Sequence, residues 1–132
     1  MSRPDGRALA AIFAGGAGGA LLRVVFVLHS RPDAASWPWA TFAINLAGAF
    51  ALGYFATRLQ DRLPLSTYRR PFVGTGFCGA LTTFSTVQIE LLMMLDAHRY
   101  ALAAGYASAS VAGGYVCVHL ATAAVRRVRT IA

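Results

Sequence analysis

The sequence predicts an all-α integral membrane protein of four transmembrane helices, and three observations carry that reading. Of the 132 residues, 57% are apolar and only 13% are charged, about half the roughly 25% typical of soluble domains. Of 17 formally charged side chains, 12 basic and 5 acidic, all but two fall outside four apolar segments at about 8–29, 38–57, 72–95 and 100–125. The two inside are Arg23 and Glu90. Each segment also has the roughly 20 residues that a helix needs to cross a hydrocarbon core about 30 Å thick. What remains is short tails and loops, so residues 1–132 read as a single four-helix membrane domain with any chemistry placed inside the bilayer. No nucleophile, base and orienting residue can be assembled outside the spans, which argues against an enzyme.

The net charge of +7 comes from arginine with no lysine. A basic surface attracts phosphate, but these arginines flank apolar spans, where topology determinants belong, so no nucleic-acid partner is expected. Cys78 and Cys117 each lie within an apolar segment without metal-ligand spacing, and read as small packing residues. Arg3 and Arg7 before the first segment imitate a signal peptide. Three further spans and a charge at Arg23 favour an uncleaved first helix.

In segment one, Gly15 and Gly19 stand at GxxxG spacing, which lets another helix approach closely. Arg23 is costly inside a span and faces protein, an aqueous vestibule, or the interface reached by snorkelling. In segment two, Trp37 and Trp39 mark the interface and Pro38 suits a first helical turn. Thr41, Asn45, Ala49 and Gly53 then recur every four residues on one narrow face. Lipid cannot satisfy the amide of Asn45, so it either bonds across helices or lines a pathway. Residues 58–71, RLQDRLPLSTYRRP, read as a solvated connection.

Segment three, PFVGTGFCGALTTFSTVQIELLMML, carries the chemistry. Gly74, Gly76 and Gly79 precede Thr82, Thr83, Ser85 and Thr86, a combination that weakens helix propensity and supplies hydroxyls competing for backbone partners. A break is expected near Gly79 to Thr83. Irregular backbone at membrane depth needs protein or water to satisfy it, and transporters use such breaks as ion sites. Freed carbonyls suit a cation, whereas a half-helix N-terminus and hydroxyl donors suit an anion. Thr86 and Glu90 share a face, and an intramembrane carboxylate is a functional candidate by default. Segment four has a small stripe, Gly105, Ala109 and Gly113, beside a semi-polar one, Tyr106, Ser110 and Gly114. His119 has no second ligand at metal spacing and reads as a satisfied or interfacial histidine.

The run GFCGALTTFSTVQIE from Gly76 to Glu90, with GGAGGALLR in segment one and TFAINLAGAFALG in segment two, closely resembles the Fluc (CrcB) family of fluoride channels. The GxxTTFST core is its most specific part. The resemblance implies a fluoride channel in the plasma membrane that lets fluoride leave down its gradient and protects against its toxicity. It also implies a dual-topology arrangement, in which a subunit with a broken third helix pairs with an inverted second subunit. Two pores and one structural sodium ion at the interface follow from that pairing. The family's sodium carbonyls fall on Gly79 and Thr82, its first pore phenylalanine on Phe84 and its pore asparagine on Asn45. Thr83, Ser85 and Thr86 supply hydroxyls to the same lining, Tyr106 and Ser110 match the fourth helix's polar track, and Arg23 fits a vestibule. The family usually has a second phenylalanine three residues after the first, where this chain has Val87. Glu90 keeps an uncertain polar role.

The physics suits that assignment. Fluoride is small and strongly hydrated, so its path must replace water with short donors, which hydroxyls and an amide provide; Phe84 adds a positive ring edge. A small proton-coupled exporter is the alternative, with Glu90 as its proton site, although such proteins commonly rely on a first-helix carboxylate and this one has none. A non-transporting membrane subunit would explain the small-residue stripes but not the TTFST run. Orientation follows from counting. Arg3, Arg7, Arg58, Arg62, Arg69, Arg70, Arg126, Arg127 and Arg129 share one side, against Arg31 and Arg99 on the other. Arginine-rich short loops stay cytoplasmic, so both termini are expected inside. An inverted homodimer needs near balance, so a heterodimer with a paralogue of opposite bias is expected over a dual-topology homodimer.

Overall fold

The computed structural model describes residues 5–28, 33–61 and 68–130. Its elements are α1 (Gly6–Leu28), α2 (Trp39–Asp61), a π-helix (Pro71–Cys78) running into α3 (Gly79–Leu81), α4 (Phe84–Asp96) and α5 (Tyr100–Thr130). Among the described residues, four stretches are long and apolar enough to cross a membrane: Gly6–Val27, Trp39–Arg58, Pro71–Asp96 and Tyr100–Arg127. The protein is a multi-pass membrane protein. Of the expected connection at 58–71, residues 62–67 lie outside the described residues, as do Arg3 and Arg31.

Two helix ends run past the apolar limits read from the sequence. α2 continues to Asp61 and α5 to Thr130, because arginine and its polar neighbours propagate a helix in water as readily as apolar residues do in lipid. Pro38 sits one residue before the first turn of α2, and its carbonyl accepts the first helical bond, from Phe42 N–H at 3.0 Å. A residue without an N–H fits there because the opening positions of a helix have no use for that donor.

Two glycine seams hold the spans together. A Cβ on Gly15 or Gly19 would collide with the backbone carbonyls of Phe72 and Phe77, and one on Gly76 would lie 2.6 Å from the Ile12 carbonyl. α1 and the π-helix therefore touch backbone to backbone, and they run parallel, since Gly15 meets Phe72 and Gly19 meets Phe77. The second seam joins α2 to α5, also parallel. Gly53 lies against Val118 and Ala121, Leu46 against Gly113, and Thr57 Oγ1 stands 3.3 Å from Thr122 Oγ1. Without a hydrophobic force between helices in lipid, close contact of this kind supplies the attraction.

The core lies toward the other end: Val87, Met94, Ala103 and Tyr106, with Trp37, Phe42, Leu91 and Leu102 packed on it. Trp37 sits edge-to-face on Tyr106 and on Phe42, with centroids 5.4 and 5.3 Å apart. α4 ends in a Schellman motif, with Arg99 N–H reaching Met94 O at 2.8 Å and His98 N–H reaching Leu95 O at 3.0 Å. The left-handed position is taken by His98, at φ 57°.

Candidate functional site

The centre of the third span is extended backbone: Thr82 at φ −78°, ψ 148° and Thr83 at φ −144°, ψ 116°. Asn45 of α2 pairs with this strand-like residue through both ends of its amide. Its Oδ1 accepts from Thr83 N–H at 2.9 Å, and its Nδ2 donates to Thr83 O at 3.2 Å. Thr83 then caps α4, its Oγ1 accepting from Thr86 N–H at 3.3 Å and lying 3.1 Å from the hydroxyls of both Ser85 and Thr86. Such a cap satisfies one of the donors a helix start leaves over.

These bonds redirect two particular donors. In a continuous helix Thr83 N–H would serve the carbonyl of Gly79 and Thr86 N–H that of Thr82. Here they go to Asn45 Oδ1 and Thr83 Oγ1. Thr82 closes the preceding turn, with its N–H and its hydroxyl both on the Cys78 carbonyl at 3.1 and 3.0 Å. The carbonyls of Gly79 and Thr82 thus lose their usual partners together.

A second polar group lies along α4. Glu90 receives Thr41 Oγ1–H at 2.5 Å on one carboxylate oxygen and the Tyr106 hydroxyl at 2.7 Å on the other. Tyr106 is fully buried. A cavity of about 270 Å³ runs from the loop around Asp33 and Ser36 to Thr41, Thr86 and Glu90. Ser110 Oγ, one turn from Tyr106 and near its hydroxyl, is buried without a well-formed hydrogen bond; Trp37 Nε1 is also buried and unpaired.

The residues singled out in the sequence therefore fall in three places. Asn45, Thr83, Ser85 and Thr86 come together at the extended segment, and Thr86 and Glu90 face the cavity. Phe84, first residue of α4, is 75% exposed on the outer surface of the chain. Arg23 is half-buried on α1; Val27, one turn further, lines the cavity and Arg23 does not. Val87 is buried in the core cluster with Tyr106 and Met94, whereas Phe84, one turn before it, is exposed. His119 is exposed and stacks on Tyr115 with centroids 4.7 Å apart. Sequence reasoning set Thr41 on the face of Asn45 and Trp37 at the interface but gave neither a role in the site. Thr41 stands one helical turn before Asn45, a signal for a shared polar face; Trp37 carried only an interfacial signal.

A family model described as "CrcB-like protein, Camphor Resistance (CrcB)" matches residues 10–122. The fluoride-specific ion channel FluC 1 of Mycolicibacterium paratuberculosis is 59% identical over 129 residues, covering 98% of each chain. FluC 1 of Mycobacterium tuberculosis is 56% identical over the same span, and FluC of Bordetella bronchiseptica 40% identical over 88% of this chain and 89% of its own.

Proposed function

The chain belongs to the CrcB family, and from that premise we propose that it is a subunit of a fluoride-specific ion channel that lets fluoride leave the cell down its electrochemical gradient. The observation that carries this is the 59% identity to a fluoride-specific channel over 98% of both chains. It is a channel rather than an enzyme. The site chemistry agrees: a concentrated set of short hydroxyl and amide donors stands at membrane depth, where a strongly hydrated anion needs substitutes for water.

Asn45, Phe84, Thr83, Ser85, Thr86, Tyr106 and Ser110 line the conduction path in this reading, and Arg23 draws anions toward a vestibule. Phe84, exposed on the isolated chain, presents its ring edge to the anion once a second subunit covers that face. The hydroxyl of Ser110, buried beside that of Tyr106 without a well-formed hydrogen bond, is a donor that a passing ion can take up. Asn45 combines two tasks, since the amide that clamps Thr83 also fixes where the hydroxyls behind Thr83 point.

The carbonyls of Gly79 and Thr82 fit a sodium ion, because a hard cation takes oxygen ligands and the donors that normally occupy these two are drawn elsewhere. A bound cation would supply a fixed positive charge at the subunit interface. Asn45 and Thr83 prepare that site by holding the backbone extended.

The partner in this reading is an inverted subunit, and an opposite-bias paralogue suits it better than a second copy. The parallel seams put the start of α1 and of the π-helix at one end. The ends of α2 and α5 lie there too, so Arg7, Arg58, Arg69, Arg70, Arg126 and Arg127 share a side, taken as cytoplasmic. Fluoride efflux from proteoliposomes tests the function: a channel passes fluoride without a proton gradient and excludes chloride, an exchanger requires protons, and a scaffold passes neither. Proton-dependent efflux, or none with the partner present, overturns the reading.

A further inference from the structure

The segment that carries the Gly79 and Thr82 carbonyls is held against α2 at two successive places. Asn45 takes Thr83, with one end of its amide on the N–H and the other on the carbonyl. One helical turn further along α2, Gly48 receives Thr82. A Cβ on Gly48 would collide with Cγ2 of Thr82, while lying at ordinary contact distances of 3.7 and 3.9 Å from Thr82 Cβ and Leu81 Cδ2. The methyl group of Thr82 occupies the space that a side chain at position 48 would fill, and the conflict is confined to that one methyl.

Thr82 has no simple way to yield. Its hydroxyl is bound to the Cys78 carbonyl at 3.0 Å, and a χ1 rotation that withdrew the methyl from Gly48 would swing the hydroxyl off that acceptor, because both groups stand on the same Cβ. The alternative is a shift of the backbone. What would shift is the peptide between Thr82 and Thr83, whose N–H is fixed on Asn45 Oδ1 at 2.9 Å. In a trans peptide the carbonyl points opposite to the N–H, so the grip of Asn45 turns the Thr82 carbonyl away from Asn45, and the seat at Gly48 sets how closely that peptide lies to the helix.

We infer that Gly48 is a positioning residue for the cation: the space it leaves fixes the depth at which Thr82 docks on α2, and with it the placement of the Thr82 carbonyl toward sodium. The inference rests on the reading of Gly79 and Thr82 as a sodium site. Asn45 sets the direction of that carbonyl and Gly48 its distance. Oxygen ligands hold a hard cation over a narrow range of lengths, so a small displacement of one weakens binding.

The sodium dependence of stability reads the site without relying on flux. Thermal midpoints of the channel purified with its partner are measured as sodium chloride replaces N-methyl-D-glucamine chloride at constant ionic strength. The unmodified channel should show a saturable rise, and Gly48→Ala should raise the sodium concentration needed for half of it at least tenfold. Alanine is the better helix former, and a purely structural effect would move the midpoint equally at every sodium concentration. Thr82→Ser removes the methyl and keeps the hydroxyl; in that background Gly48→Ala should leave the sodium requirement where Thr82→Ser alone puts it. Should Gly48→Ala alone fail to assemble, the double variant must assemble, and failure of both overturns the inference. An unshifted sodium requirement in Gly48→Ala overturns it too and leaves the sodium reading standing, as does a shift that persists undiminished in the Thr82→Ser background. A midpoint indifferent to sodium in the unmodified channel instead overturns the sodium reading, and the inference with it.

Discussion

At the scale of single residues, the structure separates groups that hold the fold from groups that wait for a ligand. Asn45 spends its amide on both backbone groups of Thr83. Asn45→Asp keeps the acceptor for Thr83 N–H but sets a carboxylate oxygen against the Thr83 carbonyl, and a buried acceptor left facing another costs about 1–3 kcal/mol. Fluoride efflux should drop at least tenfold, with a lowered thermal midpoint. Phe84 is different, being exposed on the chain, so Phe84→Ile should cut efflux comparably while the midpoint stays within a degree or two; unchanged efflux would remove it from the path. Ser110→Ala gives the cleanest separation. Its hydroxyl is buried without a well-formed bond, so deleting it should leave stability level or slightly raised while efflux falls, as measured on the same preparation by thermal melt and fluoride electrode.

At the scale of elements, the four spans were legible because apolar runs of membrane length between arginine-rich ends admit few other structures. The seam of Gly15 and Gly19 was legible as tight packing, though not which helix it meets, since spacing names a face and not its partner. The π-winding of Pro71–Cys78 leaves no periodic signature in so glycine-rich a stretch, and the Thr41–Glu90–Tyr106 group joins three segments that no local pattern links. Two predictions belong here. His98 occupies a left-handed position that favours glycine, so His98→Gly should stabilise the protein by about 0.5–1 kcal/mol, read as a raised thermal midpoint; a lowered one would mean the 2.9 Å contact with the Tyr100 hydroxyl outweighs the backbone. The extended Thr82–Thr83 pair bears on sodium. Replacing sodium by a large organic cation during purification and assay should slow fluoride flux severalfold, and undiminished flux would discard the site at Gly79 and Thr82.

At the scale of the whole molecule, charge asymmetry makes a sharp forecast. Engineered cysteines near each terminus should be labelled from the cytoplasmic side alone in intact cells, and this chain purified alone should conduct poorly until an opposite-bias partner is co-expressed. Labelling from both sides in comparable amounts, or robust flux from the single species, favours the dual-topology homodimer. The seams also set a rule for how the protein comes into being. The first helix finds its close partner in the third span and the second in the last, so neighbours in the chain are not the principal neighbours in space. The first two helices cannot settle as a hairpin as they leave the ribosome. The glycine face of α1 must wait in lipid through the synthesis of all of α2, and α2 must wait until α5 is complete. Biogenesis is therefore interleaved rather than sequential, and a chain severed between α2 and the π-helix would yield two halves, each holding one side of both seams, that recover their form only in each other's company.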